Sequence, residues 1–176
     1  MRGDVYTIIQ NAEKINRPVS LATNSKLAAN GEDEDLREYY GFGGLDLKAA
    51  DDFDDVAQNE DIFQIMLGCR REDYPDIMRN VKKARITAWW EQAVDIIPAN
   101  AGKGTAITNI LEYYHLSKED AMAFGDGNND IEMLQSVGTG IAMRNASPEL
   151  KNVADDICGD IARDGIYDYC KRYGLI

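Results

Sequence analysis

The chain alternates between stretches in which apolar residues recur every three or four positions and short runs of neighbouring apolar residues. Helical spacing at its start predicts an amphipathic helix that is buried through Val5, Ile8, Ile9, Ala12 and Ile15. The apolar run at residues 19–23 follows Pro18 and ends at two turn-forming residues, which predicts a strand. This opening pattern indicates a mixed α/β fold.

The pattern weakens between residues 26 and 58 and then returns. In the weak stretch, residues 27–29 are compatible with the start of a helix, and the charged run at residues 32–38 is typical of a solvated face. Residues 62–69 alternate instead, which predicts a strand with one apolar face, formed by Phe63, Ile65, Leu67 and Cys69.

A helix and an antiparallel hairpin are predicted next. Pro75 suits the first turn of a helix that is buried through Ile77, Met78 and Val81. Residues 84–90 and 93–97 predict two strands joined by a tight connection. On such a strand, Trp89 and Trp90 point to opposite faces, so we expect one in the core and the other exposed.

Pro98 marks the boundary between two predicted domains. The pattern before it is that of an antiparallel sheet, whereas strands and helices alternate after it. We therefore expect an α/β domain at residues 1–97 and a second domain at residues 98–176. In the second, Lys103 lies in the first turn of a helix, beside backbone N–H groups that lack helical partners. A later helix has Ser147 as its N-cap, and strands are predicted at residues 121–124, 140–143 and 157–158.

A polar loop after the strand at residues 121–124 is the part of the chain best suited to chemistry. Lys103 lies one helix upstream of this loop. Ligands of open α/β sheets bind at the carboxyl ends of strands, so we expect a functional site here. The loop carries two carboxylates and two amides, Asp126, Asp130, Asn128 and Asn129.

Charge and composition restrict the partners and the location. The net charge of -12 argues against nucleic acid and anionic membranes as partners, because both require a basic surface. No apolar run approaches the length of a membrane span and no signal peptide is recognisable, so we expect a cytoplasmic protein. The cysteines lack metal-site or disulfide spacing and are expected to be core thiols, Cys69, Cys158 and Cys170. The only histidine, His115, is expected to be a cation at the end of a helix.

The spacing of the polar loop separates three kinds of site. An EF-hand requires Gly and Glu where this chain has Ile131 and Val137. A P-loop around Lys103 requires Gly and Ser or Thr where this chain has Ile97 and Gly104. A third kind of site fits, in which an acidic loop holds Mg²⁺ and a lysine at a helix N-terminus meets phosphate oxygens. From local chemistry alone, a glycine- and asparagine-rich turn without a ligand stays open as the alternative.

Three segments of the second domain resemble the signature of Cof-type phosphatases in the haloacid dehalogenase superfamily. They read KGTAI at residues 103–107, FGDGNNDIEML at residues 124–134 and GIAMRNA at residues 140–146. The resemblance implies an α/β fold made of a partial, Rossmann-like core, present as its C-terminal half, and an α/β cap domain with an antiparallel sheet before it.

The resemblance also implies roles for four residues of the second domain. Lys103 would be catalytic and would steady the phosphoryl group, and Asn129 would contact phosphate. Asp126 would coordinate Mg²⁺, and Asp130 would support the metal site directly or through water. The implied activity is Mg²⁺-dependent hydrolysis of small phosphorylated metabolites such as sugar phosphates.

One part of the family pattern is not found in this sequence. Family members begin with an apolar strand that ends in D-x-D-G-T, whose first Asp is the nucleophile and whose second is the general acid and base. The acidic runs at residues 33–35 and 52–54 do not follow predicted strands and are not expected to replace it. We therefore expect a truncated or split form that is inactive alone and pairs with a copy of itself or with a complementary N-terminal segment. The alternative function is a non-catalytic remnant or regulatory binding domain.

Overall fold

The chain forms two compact units, which are described separately. The computed structural model describes residues 2–176. Backbone contacts group the residues into Met1–Asn100 and Ala101–Ile176. The assignment of a cap domain at residues 1–97 and a core domain at residues 98–176 stays a prediction.

The first unit combines an antiparallel sheet with helices. The helices are α1 (Arg2–Lys14), α2 (Glu34–Phe42), α3 (Phe53–Asn59) and α4 (Tyr74–Ile77). The strands are β1 (Val19–Ala22), β2 (Leu27–Ala29), β3 (Gln64–Gly68), β4 (Ala84–Thr87) and β5 (Ala93–Pro98). They pair antiparallel in the order β2-β1-β3-β5-β4.

The core of this unit follows the predicted periodicities. Alternate residues of β1, β3 and β5 turn to one face of the sheet, where α1, α3 and α4 pack against them. Ile8 of α1, Ile65 of β3 and Ile96 of β5 are all fully buried there. The predicted helix at the start of the chain and the predicted strands at residues 19–23 and 62–69 are confirmed, although Phe63 precedes β3 and is exposed.

The expected helix at residues 27–29 is wrong, because these residues form β2. The Thr23 hydroxyl accepts hydrogen bonds from the backbone N–H groups of Ser25 and Lys26, both at 3.2 Å. This turn reverses the chain, so that Leu27 pairs with Ala22 of β1. A hairpin thus satisfies backbone groups that a helix as short as this run would leave unpaired.

The two tryptophans lie in the connection between β4 and β5, so the expectation that they occupy opposite faces of a strand is wrong. Their rings stack on each other with centroids 6.4 Å apart. Trp89 also contacts Tyr39 and Phe42 of α2, with ring centroids 5.5 and 5.3 Å away. The apolar pattern alone predicted that the strand continues through Trp89. Contacts with α2 instead hold Trp89 outside β4, which ends at Thr87.

The charged run at residues 32–38 is more than a solvated face, because Asp35 is buried within it. Its carboxylate accepts two hydrogen bonds from the Arg70 guanidinium, at 2.9 and 3.0 Å, and one from Arg17 at 2.9 Å. The hydrogen bond from Arg70 is the main cause that holds the pKa of Asp35 below its usual value. Two half-buried ion pairs thus connect α2 to Arg17, before β1, and to Arg70, after β3.

The second unit alternates strands and helices, as predicted. Its helices are α5 (Lys103–Tyr114), α6 (Ile131–Gln135), α7 (Pro148–Val153) and α8 (Gly165–Arg172). Its strands are β6 (Met122–Gly125), β7 (Thr139–Ala142) and β8 (Asp156–Ile157), which pair parallel in the order β6-β7-β8. The prediction of Ser147 as the N-cap of α7 is confirmed, because its hydroxyl accepts a hydrogen bond from the Leu150 N–H at 3.1 Å. His115 lies at the C-terminal end of α5.

Two of the three thiols are buried, as expected for core cysteines. Cys69 lies in the core of the first unit, where desolvation raises the pKa of its thiol to about 12. Cys158 is buried in the second unit, and Cys170 on α8 is half-buried. Within residues 2–176, no helix is both long enough and apolar enough to cross a lipid bilayer.

Candidate functional site

The loop after β6 is closed by the carboxylate of Asp130. The chain leaves β6 at Gly125 and forms a short 3-10 turn at Asn128–Asp130 that leads directly into α6. One carboxylate oxygen of Asp130 accepts the backbone N–H groups of Asp126 and Gly127, at 3.1 and 3.2 Å. Asp130 is 4% exposed, so this carboxylate is an internal anchor of the loop.

Lys103 reaches the same anchor from the first residue of α5. Its ammonium group donates a hydrogen bond to the other oxygen of Asp130. The side chain of Lys103 is 51% exposed, so the ammonium group can still meet a ligand from solvent. The structure therefore brings together the predicted lysine and the predicted acidic loop.

A close approach between α5 and α6 makes this pairing possible. A Cβ atom on Gly104 would lie 2.7 Å from both the Glu132 carbonyl oxygen and the Ser136 hydroxyl oxygen. A side chain at position 104 would therefore force the two helices apart. Gly104 thus holds the start of α5, and Lys103 with it, against the helix that follows the acidic loop.

Asp126 has surroundings opposite to those of Asp130. Its side chain is exposed, and one carboxylate oxygen accepts a hydrogen bond from the side-chain amide of Asn145 at 3.3 Å. Asn145 lies in the loop after β7, where Ser147 also donates a hydrogen bond to the Asn128 side chain. The loops at the carboxyl ends of two neighbouring parallel strands therefore meet. The sequence assigned no role to Asn145. Its position directly after a predicted parallel strand is the signal that could have placed it at the ligand-binding edge of the sheet.

The oxygen-bearing side chains of this loop suit a hard cation that keeps some of its coordination positions for substrate and water. Across residues 2–176, no group of three or more His, Cys, Asp or Glu side chains could enclose a metal ion. Mg²⁺ commonly takes only one or two carboxylates, together with phosphate oxygens and water. Asp126 offers an exposed carboxylate for this purpose, whereas Asp130 already accepts hydrogen bonds at both oxygens. The half-buried side chain of Asn129 has no hydrogen-bond partner among the described residues and is available to a ligand.

The acidic runs of the first unit have structural tasks. The carboxylate of Asp33 caps α2 by accepting the Leu36 N–H at 2.7 Å and also pairs with Arg17. Asp52 precedes α3 and forms an ion pair with Lys26. The expectation that neither run supplies a nucleophile stays a prediction.

Comparison with known proteins gives a family match along most of the chain. The family model described as haloacid dehalogenase-like hydrolase matches residues 2–169. The putative phosphatase YkrA of Bacillus subtilis is 30% identical over 172 residues, which is 98% of this chain and 66% of YkrA. Kanosamine-6-phosphate phosphatase of the same organism is 43% identical over 79 residues, 45% of this chain and 28% of that protein. The chain thus spans only part of the length of these relatives.

Solved structures have the same fold. A hypothetical protein from Geobacillus kaustophilus is 33% identical, with a TM-score of 0.81 over 100% of this chain and 68% of its own. The subclass IIB sugar phosphatase BT4131 superposes with a TM-score of 0.89 at 24% identity, over 100% of this chain and 68% of its own. The α/β fold with an antiparallel and a parallel sheet is therefore that of this family.

Proposed function

The chain belongs to the haloacid dehalogenase-like hydrolases, and from this premise we propose that it supplies the phosphate- and Mg²⁺-binding part of a phosphatase. One observation carries the proposal. Lys103 at the start of α5 is hydrogen-bonded to Asp130, which also accepts the backbone N–H groups of the loop that presents Asp126. A cation, an exposed carboxylate and a rigid loop thus converge at the carboxyl end of a parallel strand.

Each residue of the site has a separate task in this proposal. Lys103 attracts the phosphoryl oxygens and neutralises negative charge on them, since its ammonium group is exposed and held in place by Asp130. Asn129 donates a hydrogen bond from its amide to phosphate. Asp126 holds Mg²⁺, and Asp130 supports that site by fixing the backbone of the loop. When bound, Mg²⁺ supplies further positive charge for the phosphate oxygens.

The nucleophile comes from outside these residues in our proposal. Covalent phosphoryl transfer requires a carboxylate that is free to attack phosphorus. Within the described part of the chain, the carboxylate that meets Lys103 belongs to Asp130, and it is buried and hydrogen-bonded. We therefore propose that a segment with the D-x-D-G-T motif, in the same polypeptide or in another, completes the site.

The surface of the second unit supports such a partner segment. β6 lies at the edge of the sheet β6-β7-β8 and so leaves one side of its backbone for another strand. Next to it in the chain, α5 carries apolar side chains that are exposed in this structure, Ile110, Tyr113 and Tyr114. A strand added beside β6, with the residues that follow it, would satisfy both features. Pairing with a second copy of this chain is the other way to cover them.

The substrates we propose are small phosphorylated metabolites, sugar phosphates among them. Relatives include a kanosamine-6-phosphate phosphatase and a pyridoxal phosphate phosphatase, YbhA of Escherichia coli, which is 40% identical over 80 residues. The net charge of -12 argues against nucleic acid as the partner, which leaves a small phosphate ester. We also propose a cytoplasmic location.

Hydrolysis of a general phosphate monoester, p-nitrophenyl phosphate, tests the proposal. The chain alone is expected to show no turnover. Addition of a segment with the D-x-D-G-T motif, fused or in trans, is expected to give Mg²⁺-dependent hydrolysis that Asp126→Ala and Lys103→Met abolish. Glu149→Ala, an exposed carboxylate on α7, is the matched control and should keep the activity.

Two other results would contradict the proposal. Mg²⁺-dependent turnover by the chain alone would show that these residues contain a nucleophile. Binding of Mg²⁺ and phosphate without turnover in the completed protein would favour the alternative function, a regulatory or remnant binding domain.

A further inference from the structure

A second concave site lies in the same unit, and its lining includes none of the four residues assigned above, Lys103, Asp126, Asn129 and Asp130. It is a cavity of about 500 Å³ between the loop after β7, the segment after β8 and α8. Its floor includes the buried residues Cys158 and Tyr169. Nothing in the proposed phosphatase chemistry uses these residues.

Basic side chains from three different elements line this cavity. They are Arg144 after β7, Arg163 between β8 and α8, and Arg172 at the end of α8. All three are exposed, and none forms an ion pair within 4.0 Å of a carboxylate in the described part of the chain. Hydrogen bonds from Ile157, Tyr173 and Tyr169 lower the pKa of the Asp156 carboxyl, and the charge of Arg172 still reaches that carboxyl and adds to their effect. In the first unit, four arginines do pair with carboxylates, whereas Arg71 pairs with none among the described residues; the four are Arg17, Arg37, Arg70 and Arg79. In a chain with 31 acidic and 19 basic residues, three arginines without ion pairs around one cavity form a local cluster of positive charge that favours an anion.

The carboxylates of the cavity do not cancel this charge. Asp160 and Asp168 also line it, so the arginines are in excess by one. Asp160 is partly occupied, because one of its oxygens accepts the Ala162 N–H at 2.8 Å. The lining therefore keeps a net positive charge with guanidinium donors that can bind phosphate or carboxylate oxygens in pairs.

The loop that carries Arg163 is tightly closed. A Cβ atom on Gly165 would lie 2.3 Å from the carbonyl carbon of Gly159, so only glycine lets the two ends of the loop touch. The Gly165 N–H also donates to the Asp160 carbonyl oxygen at 2.9 Å. Arg163 thus projects from a constrained loop, which lowers the entropy that a bound anion would have to remove.

We propose that this cavity is an anion site that binds a phosphate or carboxylate group of a small molecule through Arg144, Arg163 and Arg172. The site is separate from Lys103 and Asp126, and its binding does not depend on phosphatase activity. Two sources of the anionic group share this chemistry, a second charged group on the substrate and an independent small anion. Arg144 directly precedes Asn145, the residue that donates to Asp126, so an occupant would also contact the loop that borders the first site.

Calorimetric titration of the full chain with pyrophosphate, at low salt and without Mg²⁺, tests the site. The double variant Arg144→Ala/Arg163→Ala is expected to bind at least about tenfold more weakly than the original chain. Lys171→Ala is the matched control, because Lys171 is an exposed cation on α8 that does not line the cavity. It should bind within about twofold of the original chain.

Three results would overturn the proposal. They are unchanged binding by the double variant, an equal loss in Lys171→Ala, and a loss in Lys103→Met alone. Because the arginines are exposed, an unchanged thermal unfolding midpoint should accompany their removal. Arg172→Ala serves as an independent variant if the double variant is less stable, and it too should weaken binding.

A titration with fructose 1,6-bisphosphate separates the two sources of the anion. If the group belongs to the substrate, the affinity falls both in Lys103→Met and in the double arginine variant. If it belongs to an independent ligand, the affinity falls only in the arginine variant. A fall in Lys103→Met alone would place all binding at the first site and overturn the proposal.

Discussion

At the scale of single residues, Asp126 and Asp130 are two carboxylates of one loop with different surroundings. Asp130 is buried and accepts hydrogen bonds from Lys103 and from two backbone N–H groups, whereas Asp126 is exposed. Asp130→Ala should lower the free energy of unfolding by about 1–3 kcal/mol, because it removes the shared acceptor of the Lys103 ammonium group and of two partly buried backbone N–H groups. Asp126→Ala should change it by less than about 0.5 kcal/mol. Urea denaturation followed by circular dichroism measures both, and equal losses would contradict the assigned surroundings.

Asp35 predicts how the stability of the chain depends on pH. Arg70 and Arg17 hold the pKa of its carboxyl below the usual value of 3.8, so its pKa rises to that value on unfolding. The unfolded chain then binds the proton more readily. The contribution of Asp35 to stability is therefore complete above about pH 3.8 and is lost as the pH falls through the folded pKa.

Unfolding free energies between about pH 5 and about pH 3 measure this contribution. The original chain should lose stability more steeply than Asp35→Asn as the pH falls. Asp54→Asn, which removes an exposed carboxylate of α3, is the matched control and should follow the original chain. Parallel curves for the original chain and Asp35→Asn would contradict the role of the ion pairs of Asp35.

At the scale of elements, the contact between α5 and α6 positions Lys103. Gly104→Ala should lower the free energy of unfolding by about 1–3 kcal/mol, because the added methyl group meets backbone and side-chain oxygen atoms of α6. Gly41→Ala is the matched control in α2, where no atom lies within 4 Å of the added Cβ, and it should stabilise the chain by up to about 1 kcal/mol. Urea denaturation distinguishes them. Equal effects would mean that α5 and α6 are not closely packed.

Periodicity predicts most helices and strands. It does not predict elements that are very short or whose ends depend on tertiary contacts. The strand β2 is too brief for its apolar residues to show a period, and only its pairing with β1 determines it. The end of β4 also depends on tertiary contacts, because Trp89 packs against Tyr39 and Phe42 instead of continuing the strand. The local pattern therefore identifies elements whose burial is regular along the chain. It fails where contacts with residues distant in sequence determine the secondary structure.

The candidate site was predictable in its members but not in their arrangement. Lys103 and the loop with Asp126 and Asp130 stand out by residue type and by position after a strand. Asp130 is an internal anchor because the loop folds back onto its carboxylate. The spacing of residues in the sequence does not show this fold. The arginine-lined cavity was beyond prediction, because Arg144 and Arg163 come from separate segments that meet only in the folded unit.

At the scale of the whole molecule, the chain joins a unit with an antiparallel sheet to a unit with a parallel one, and the phosphate and Mg²⁺ site that we propose lies in the second unit. The central claim is that Lys103 and Asp126 bind phosphate and Mg²⁺ there. The arginine cavity would add its own anion binding, so the claim is best tested in Arg144→Ala/Arg163→Ala chains.

Calorimetric titration of these chains with inorganic phosphate, with and without Mg²⁺, is the most direct test. We predict that Mg²⁺ strengthens phosphate binding by about tenfold, through charge that the ion shares with the phosphate oxygens. Asp126→Asn should remove the Mg²⁺ effect and keep the basal binding, whereas Lys103→Met should weaken binding in both conditions. Phosphate binding that is indifferent to Mg²⁺ and to both substitutions would contradict the claim.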